Sequence, residues 1–166
     1  MTCKRFLPLL LALATGCATP PTGTLPRTAH LFPADARVTQ RAVLTVRGRQ
    51  FTLNGQLASS ATNGWRLIVL ENFGGVLADV LVKRDRTVHV MRSSRAFKAR
   101  WIRRYVAADL ECIFGDAAAG PRPGRMLTPT HFVIERRPYQ LDLQIVEIKP
   151  GPQSPELFDE SKAEKP

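Results

Sequence analysis

Among the 166 residues, the side chains equipped for chemistry are few: three histidines, three cysteines and scattered carboxylates. His89 alternates outward between Val88 and Val90, and His131 follows a proline-containing loop; with Asp79 or Asp109 as orienting acid, either imidazole would make a general base. The rest of such a site is missing, since there is no serine elbow, no HExxH zinc pattern and no cysteine-centred motif. His30 stands in a proline-rich stretch and is weaker still. Each histidine therefore reads as solvated or packed, and Asp79, which interrupts an apolar run, as a carboxylate facing water beside Lys83 and Arg84. Gly74-Gly75 would bring amides to a phosphate only within a phosphate loop, whose lysine is absent, so it reads as a turn or bend. No enzyme is expected, and no metal or cofactor is implied.

The cysteines point to a compartment instead. Lys4 and Arg5 precede the apolar run Phe6–Ala14, which is too short to span a bilayer permanently and reads as a signal peptide. Leu13-Ala14-Thr15-Gly16-Cys17 resembles the lipobox of bacterial lipoproteins. That resemblance implies cleavage before Cys17, a diacylglycerol on its thiol and a further acyl chain on the new N-terminus; several chains give stable anchoring at about 0.8 kcal/mol per buried methylene. Ala18 stands where an inner-membrane retention signal would have aspartate, which implies the periplasmic face of the outer membrane. With Cys3 removed and Cys17 modified, Cys112 is left in the body, where one thiol neither closes an intrachain disulfide nor builds a zinc site, and it reads as a small buried side chain.

The elements that position these residues follow from periodicity. Ser94–Phe114 has apolar residues at steps of three and four (Phe97, Trp101, Ile102, Tyr105, Val106, Leu110, Ile113), which predicts a long amphipathic helix. Strand-like alternation appears at Gln40–Arg47, Gln50–Ala58, Trp65–Glu71, Val76–Val82 and Thr87–Met91 before the helix, and at His131–Arg137 and Tyr139–Ile148 after it. Phe51, Leu53, Gly55 and Leu57 share one inward face, whereas Trp65–Glu71 is apolar on both faces, which makes it a central strand or one covered on one side by something else. Ala18–Pro33 carries five of the prolines and glycines that make a tether, and Gly115–Pro129 is a crossover loop. The expected fold is mainly β with helix (α+β), a curved antiparallel sheet with the helix on its apolar side.

The formal net charge is +10 and 44% of residues are hydrophobic, ordinary for one globular domain. The signal segment and the acidic tail leave the positive excess in the body, which suits anionic lipid heads, polysaccharide or an acidic protein. Export argues against a nucleic-acid partner.

Taken in order, the lipobox Leu13–Cys17, the strands around Phe51–Leu57 and Leu67–Leu70, Phe73-Gly74-Gly75-Val76-Leu77-Ala78-Asp79, helical Tyr105–Leu110 and the final strand Tyr139–Glu147 resemble bacterial lipoproteins of a domain-of-unknown-function family related to the outer-membrane lipoprotein receptor LolB. The resemblance spans about Arg41–Ile148. It implies a LolA/LolB-like fold, a curved incomplete antiparallel barrel covered by helix around a cavity that takes acyl chains. The organisation it implies is a signal peptide over 1–16, a lipidated N-terminus and flexible tether over 17–36, a LolB-like domain over 37–149 and a disordered tail over 150–166. The expected function is noncatalytic binding or transfer of acyl lipid or lipoprotein. Its candidate wall residues are Phe51, Leu53, Leu57, Leu67, Val69, Val80, Trp101, Tyr105 and Leu143, with Arg100, Arg103 and Arg104 for an anionic head group. The alternative is an anchored structural or assembly lipoprotein whose Arg95, Arg100, Arg103, Arg104, Arg122 and Arg125 hold an acidic partner.

Overall fold

The computed structural model describes residues 32–115 and 124–163. Five strands come first: β1 (Ala36–Val46), β2 (Arg49–Ser60), β3 (Gly64–Glu71), β4 (Val76–Val82) and β5 (Val88–Ser93). A helix, α1 (Ala99–Phe114), follows, and then β6 (Arg125–Thr128), β7 (His131–Arg136) and β8 (Tyr139–Pro150). All eight strands join one open antiparallel sheet in the order β5-β4-β3-β2-β1-β8-β7-β6, so that β8 returns to pair with the free edge of the first strand. Short hairpins explain the neighbours. At Asn63-Gly64, for example, the glycine takes φ +98° and a Cβ there would lie 2.2 Å from the Val82 carbonyl oxygen.

Alternation puts one apolar row across several strands. Val38, Leu57, Leu67, Val80 and Val90 are successive partners in register and all are buried on the face that α1 covers. Ile102, Val106, Leu110 and Ile113 of α1 pack into the same cluster. The helix starts at Ala99 rather than Ser94, because the Phe97 N–H is taken by both the carbonyl and the hydroxyl of Ser94 (3.1 and 3.2 Å) and Lys98 is extended. Phe97 is nonetheless buried at the foot of the helix. The crossover loop is shorter than the spacing of its prolines suggests, since Arg125–Thr128 pairs with β7.

Both ends of the described chain correct the sequence reading. Phe32, expected within the flexible tether, packs against Phe114 with ring centroids 4.9 Å apart, and Ala36 is already buried in β1. The expected disordered tail over 150–166 does not hold for 151–163, where two 3-10 turns, Pro155–Phe158 and Glu160–Lys162, lie on the back of the sheet. Phe158 is buried there with Leu81 and Met91, Arg66 donates to the Leu157 carbonyl (2.8 Å), and Glu160 pairs with Lys83 and His89. This segment covers Leu81 of β4 and Met91 of β5 on the back of the sheet and meets β3 through Arg66. The residues of the signal peptide, the lipobox and His30 lie outside those described.

A candidate ligand cavity beneath the helix

Between α1 and strands β1, β2, β3 and β8 is a cavity of about 70 Å³. Its walls are apolar: Leu44, Leu53, Leu67, Val69, Leu141 and Leu143 from the sheet, and Phe97, Trp101, Val106, Leu110, Ile113 and Phe114 from the helix side. A second, more open depression of about 290 Å³ adjoins it, lined by Val46, Phe51, Ala96 and Lys98 together with Leu44, Phe97 and Trp101, which line both. Those three shared side chains form the partition between the interior and the surface. The partition is aromatic, with Trp101 in ring contact with Phe97 (5.5 Å), Tyr105 (5.4 Å) and Tyr139 (5.3 Å).

The wall residues expected from sequence divide accordingly. Leu53, Leu67, Val69, Trp101 and Leu143 line the cavity, and Phe51 lines the open groove. Phe51 does not join its inward neighbours Leu53 and Leu57 in the core; it is 44% exposed, because β2 runs past the end of the helix there. Leu57 instead lines a separate, more polar cavity near Phe32 and Trp65. Val80 is fully buried core and Tyr105 packs on Trp101 and Tyr139, so neither faces the cavity. Arg100, Arg103 and Arg104 are exposed on α1, with Arg104 placed 5.3 Å over the Tyr105 ring.

Periodicity alone did not pick out the polar residues of this wall. Asp109 faces inward with the apolar flank of α1, where Tyr139 donates to its Oδ2 (2.5 Å) and Arg136 Nε to its Oδ1 (2.9 Å). Arg136 also donates to the Cys112 sulfur at 3.4 Å, so Cys112 is buried beside a cation rather than only among hydrocarbons. Burial raises the Asp109 carboxyl to about 6, and it outweighs the opposing pull of the Tyr139 hydrogen bond and the Arg136 charge. Burial, reinforced by the Asp109 charge, pushes the Tyr139 phenol up as well. The cluster is a polar tie between the helix and the β7–β8 turn. Gln40 also lines the cavity, and Gly55 opposite it leaves the space its side chain occupies.

The other candidates for chemistry are dispersed. Asp79, expected to face solvent near Lys83 and Arg84, instead accepts a two-point hydrogen bond from Arg66 (3.0 and 2.7 Å) under the C-terminal segment. His89 meets Glu160 and His131 meets Asp142 (2.8 Å), so neither imidazole is brought to Asp79 or Asp109. Among the described residues no His, Cys, Asp and Glu group is arranged to hold a metal ion, and no helix is long and apolar enough to cross a membrane.

The groove lies at the end of the sheet away from Ala36, on the order of 30 Å along β1 at strand rise. The β3–β4 turn is at that same end, since Glu71 pairs with Leu53, and its Phe73 is 99% exposed. No family model matches the chain, and no curated protein does.

Proposed function

We propose that this protein captures the acyl chain of a lipid or lipoprotein, without catalysis, at the periplasmic face of the outer membrane, with Cys17 as its lipid anchor. The observation that carries the reading is the partition of Leu44, Phe97 and Trp101 between an apolar interior and an apolar groove. Ligand sites usually measure about 300–1,000 Å³, so the inner cavity alone is too small for a long chain, whereas cavity and groove joined reach the lower end of that range. A swing of Trp101 would join them. The resemblance in element order to lipoproteins related to LolB, whose open sheet would then be read as an incomplete barrel, fits the same use.

Lys98 on the groove wall suits an anionic head group, and the exposed arginines of α1 follow it along the helix. Lys98, Arg100, Arg103 and Arg104 crowd the first turns of α1, and no acidic residue stands in the first turn to complement the positive end of the helix dipole. An anion there would relieve that like-charge crowding. Exposed Phe73 at the same end offers an apolar contact to the surface from which the chain is taken.

Brominated fatty acids quench a tryptophan that they touch, and the two tryptophans lie in different places, Trp101 on the partition and Trp65 beside the other cavity. Saturable quenching of the wild type that disappears in Trp101→Phe is the expected result. Quenching that persists unchanged through Trp65, or none at any concentration, would refute acyl capture at this site.

The exposed arginines of α1 also support a second reading, an anchored assembly protein that holds an acidic partner. Crosslinking in intact envelopes would then recover one recurrent protein, less of it at high salt.

A further inference from the structure

Gln40 is a place on the cavity wall where a neutral side chain works against the stability of the chain. It sits in the middle of β1, is 5% exposed, and its Oε1 is buried without a hydrogen-bond partner. Its neighbours in register are Ile145 on β8 and Gly55 on β2, and the row continues through Val69 and Ala78, so nothing beside it donates. Of the other polar residues on the wall, Asp109 and Tyr139 are spent on each other and on Arg136, and Asn54 makes no hydrogen bond to the Gln40 Oε1. A buried acceptor left unpaired carries the full desolvation cost of the group, which leucine or methionine of similar volume would avoid.

The position is nevertheless shaped for this side chain. A Cβ on Gly55 would stand 2.7 Å from both Cγ and Nε2 of Gln40, so the glycine makes the room in which the amide lies. The pairing of β8 with β1 shifts by one residue here, Thr39 facing Glu147 and Gln40 facing Ile145, so that Val146 is the extra residue while Gln40 keeps its regular inward place on β1 between Val38 and Leu44.

Resting on the acyl-capture reading and narrowing it, we infer that the chain bound here carries a neutral hydrogen-bond donor within its apolar part, a hydroxyl or an amide N–H, and that Gln40 accepts from it. A purely hydrocarbon chain would leave the acceptor as unpaired as before. A charged donor would add a desolvation cost that the apolar walls do not offset. A neutral donor satisfies the amide and loses little.

The test pairs two probes that differ by one oxygen, tetradecanoic acid and 3-hydroxytetradecanoic acid, titrated into the full chain by calorimetry. The wild type is expected to bind the hydroxylated acid about tenfold more tightly, which is about 1.4 kcal/mol. In Gln40→Leu the ratio should fall to near one, while the ligand-free variant melts higher by roughly 5 °C because the unpaired acceptor is gone. Should that variant fail to fold, the wild-type ratio still decides, together with a shift of the Gln40 side-chain amide resonances on adding the hydroxylated acid and not the plain one. Equal affinity of the wild type for the two acids overturns this inference and leaves acyl capture standing. Binding of neither acid overturns both. A lower melting temperature in Gln40→Leu would make Gln40 a structural residue and likewise refute the assignment.

Discussion

The tie between α1 and the β7–β8 turn should show itself in the pH dependence of stability. Asp109 is 7% exposed, and its carboxyl is raised from an ordinary 3.8 to about 6. Between those two values the folded protein holds a proton that the unfolded chain has released. Stability therefore falls as pH rises through that window and levels off above it. At about 1.4 kcal/mol per pH unit the interval is worth about 3 kcal/mol. Other carboxylates act in the opposite sense, since Asp85 and Glu160 are lowered by the Thr87 backbone N–H and by Lys83 respectively, so the raw profile of the wild type mixes both signs. Asp109→Asn isolates the effect: asparagine keeps an acceptor for Tyr139 or Arg136 but never ionises. Urea unfolding from pH 3.5 to 7.5, with the variant subtracted from the wild type, should give a difference that shifts against the wild type by about 3 kcal/mol across the window. A difference that is flat with pH, or that grows in favour of the wild type, would refute a carboxyl raised by burial and with it this account of the helix tie.

Three other outcomes follow from the packing. Gly55→Ala should destabilise the fold by about 1–3 kcal/mol by driving a methyl into Gln40, and Gln40→Ala in the same chain should recover much of that loss in thermal melts. Phe158→Ala should lower stability by about 3 kcal/mol and raise binding of a hydrophobic dye, as Leu81 and Met91 lose their cover; an unchanged melt would mean the C-terminal segment is not held there. Reversing charge with Arg100→Glu, Arg103→Glu and Arg104→Glu together should weaken binding to vesicles containing anionic lipid, with the remaining binding less sensitive to salt; equal binding would remove these arginines from the head-group site.

Much of the scaffold is written locally. Period-two alternation over Ala42–Val46, over Phe51–Leu57 and over Leu141–Ile145 marks which side chains point inward, and the recurrence of Ile102, Val106, Leu110 and Ile113 marks the covering flank of the helix. These patterns report burial, and they located five of the residues that line the cavity. Phe51 shows where the rule ends: it shares the strand face of Leu53, but the foot of the helix covers that end of the sheet only in part and leaves Phe51 44% exposed. Phe158 shows the converse, an isolated aromatic in a polar segment with no period of its own, buried because the back of β4 and β5 supplies the partner surface.

What the sequence by itself determined is which residues alternate, which recur along a helix, and the lipobox-like pattern at Cys17, because each of these is a relation between near neighbours on the chain. Only the tertiary structure decided that Asp109 meets Tyr139 and Arg136, that Asp79 meets Arg66, and that Gln40 lies buried over Gly55 without a partner. Whether a polar group is satisfied depends on what lies within about 3 Å of it in space, and that is fixed by strand order and by where the helix comes to rest, not by the residues beside it in the chain.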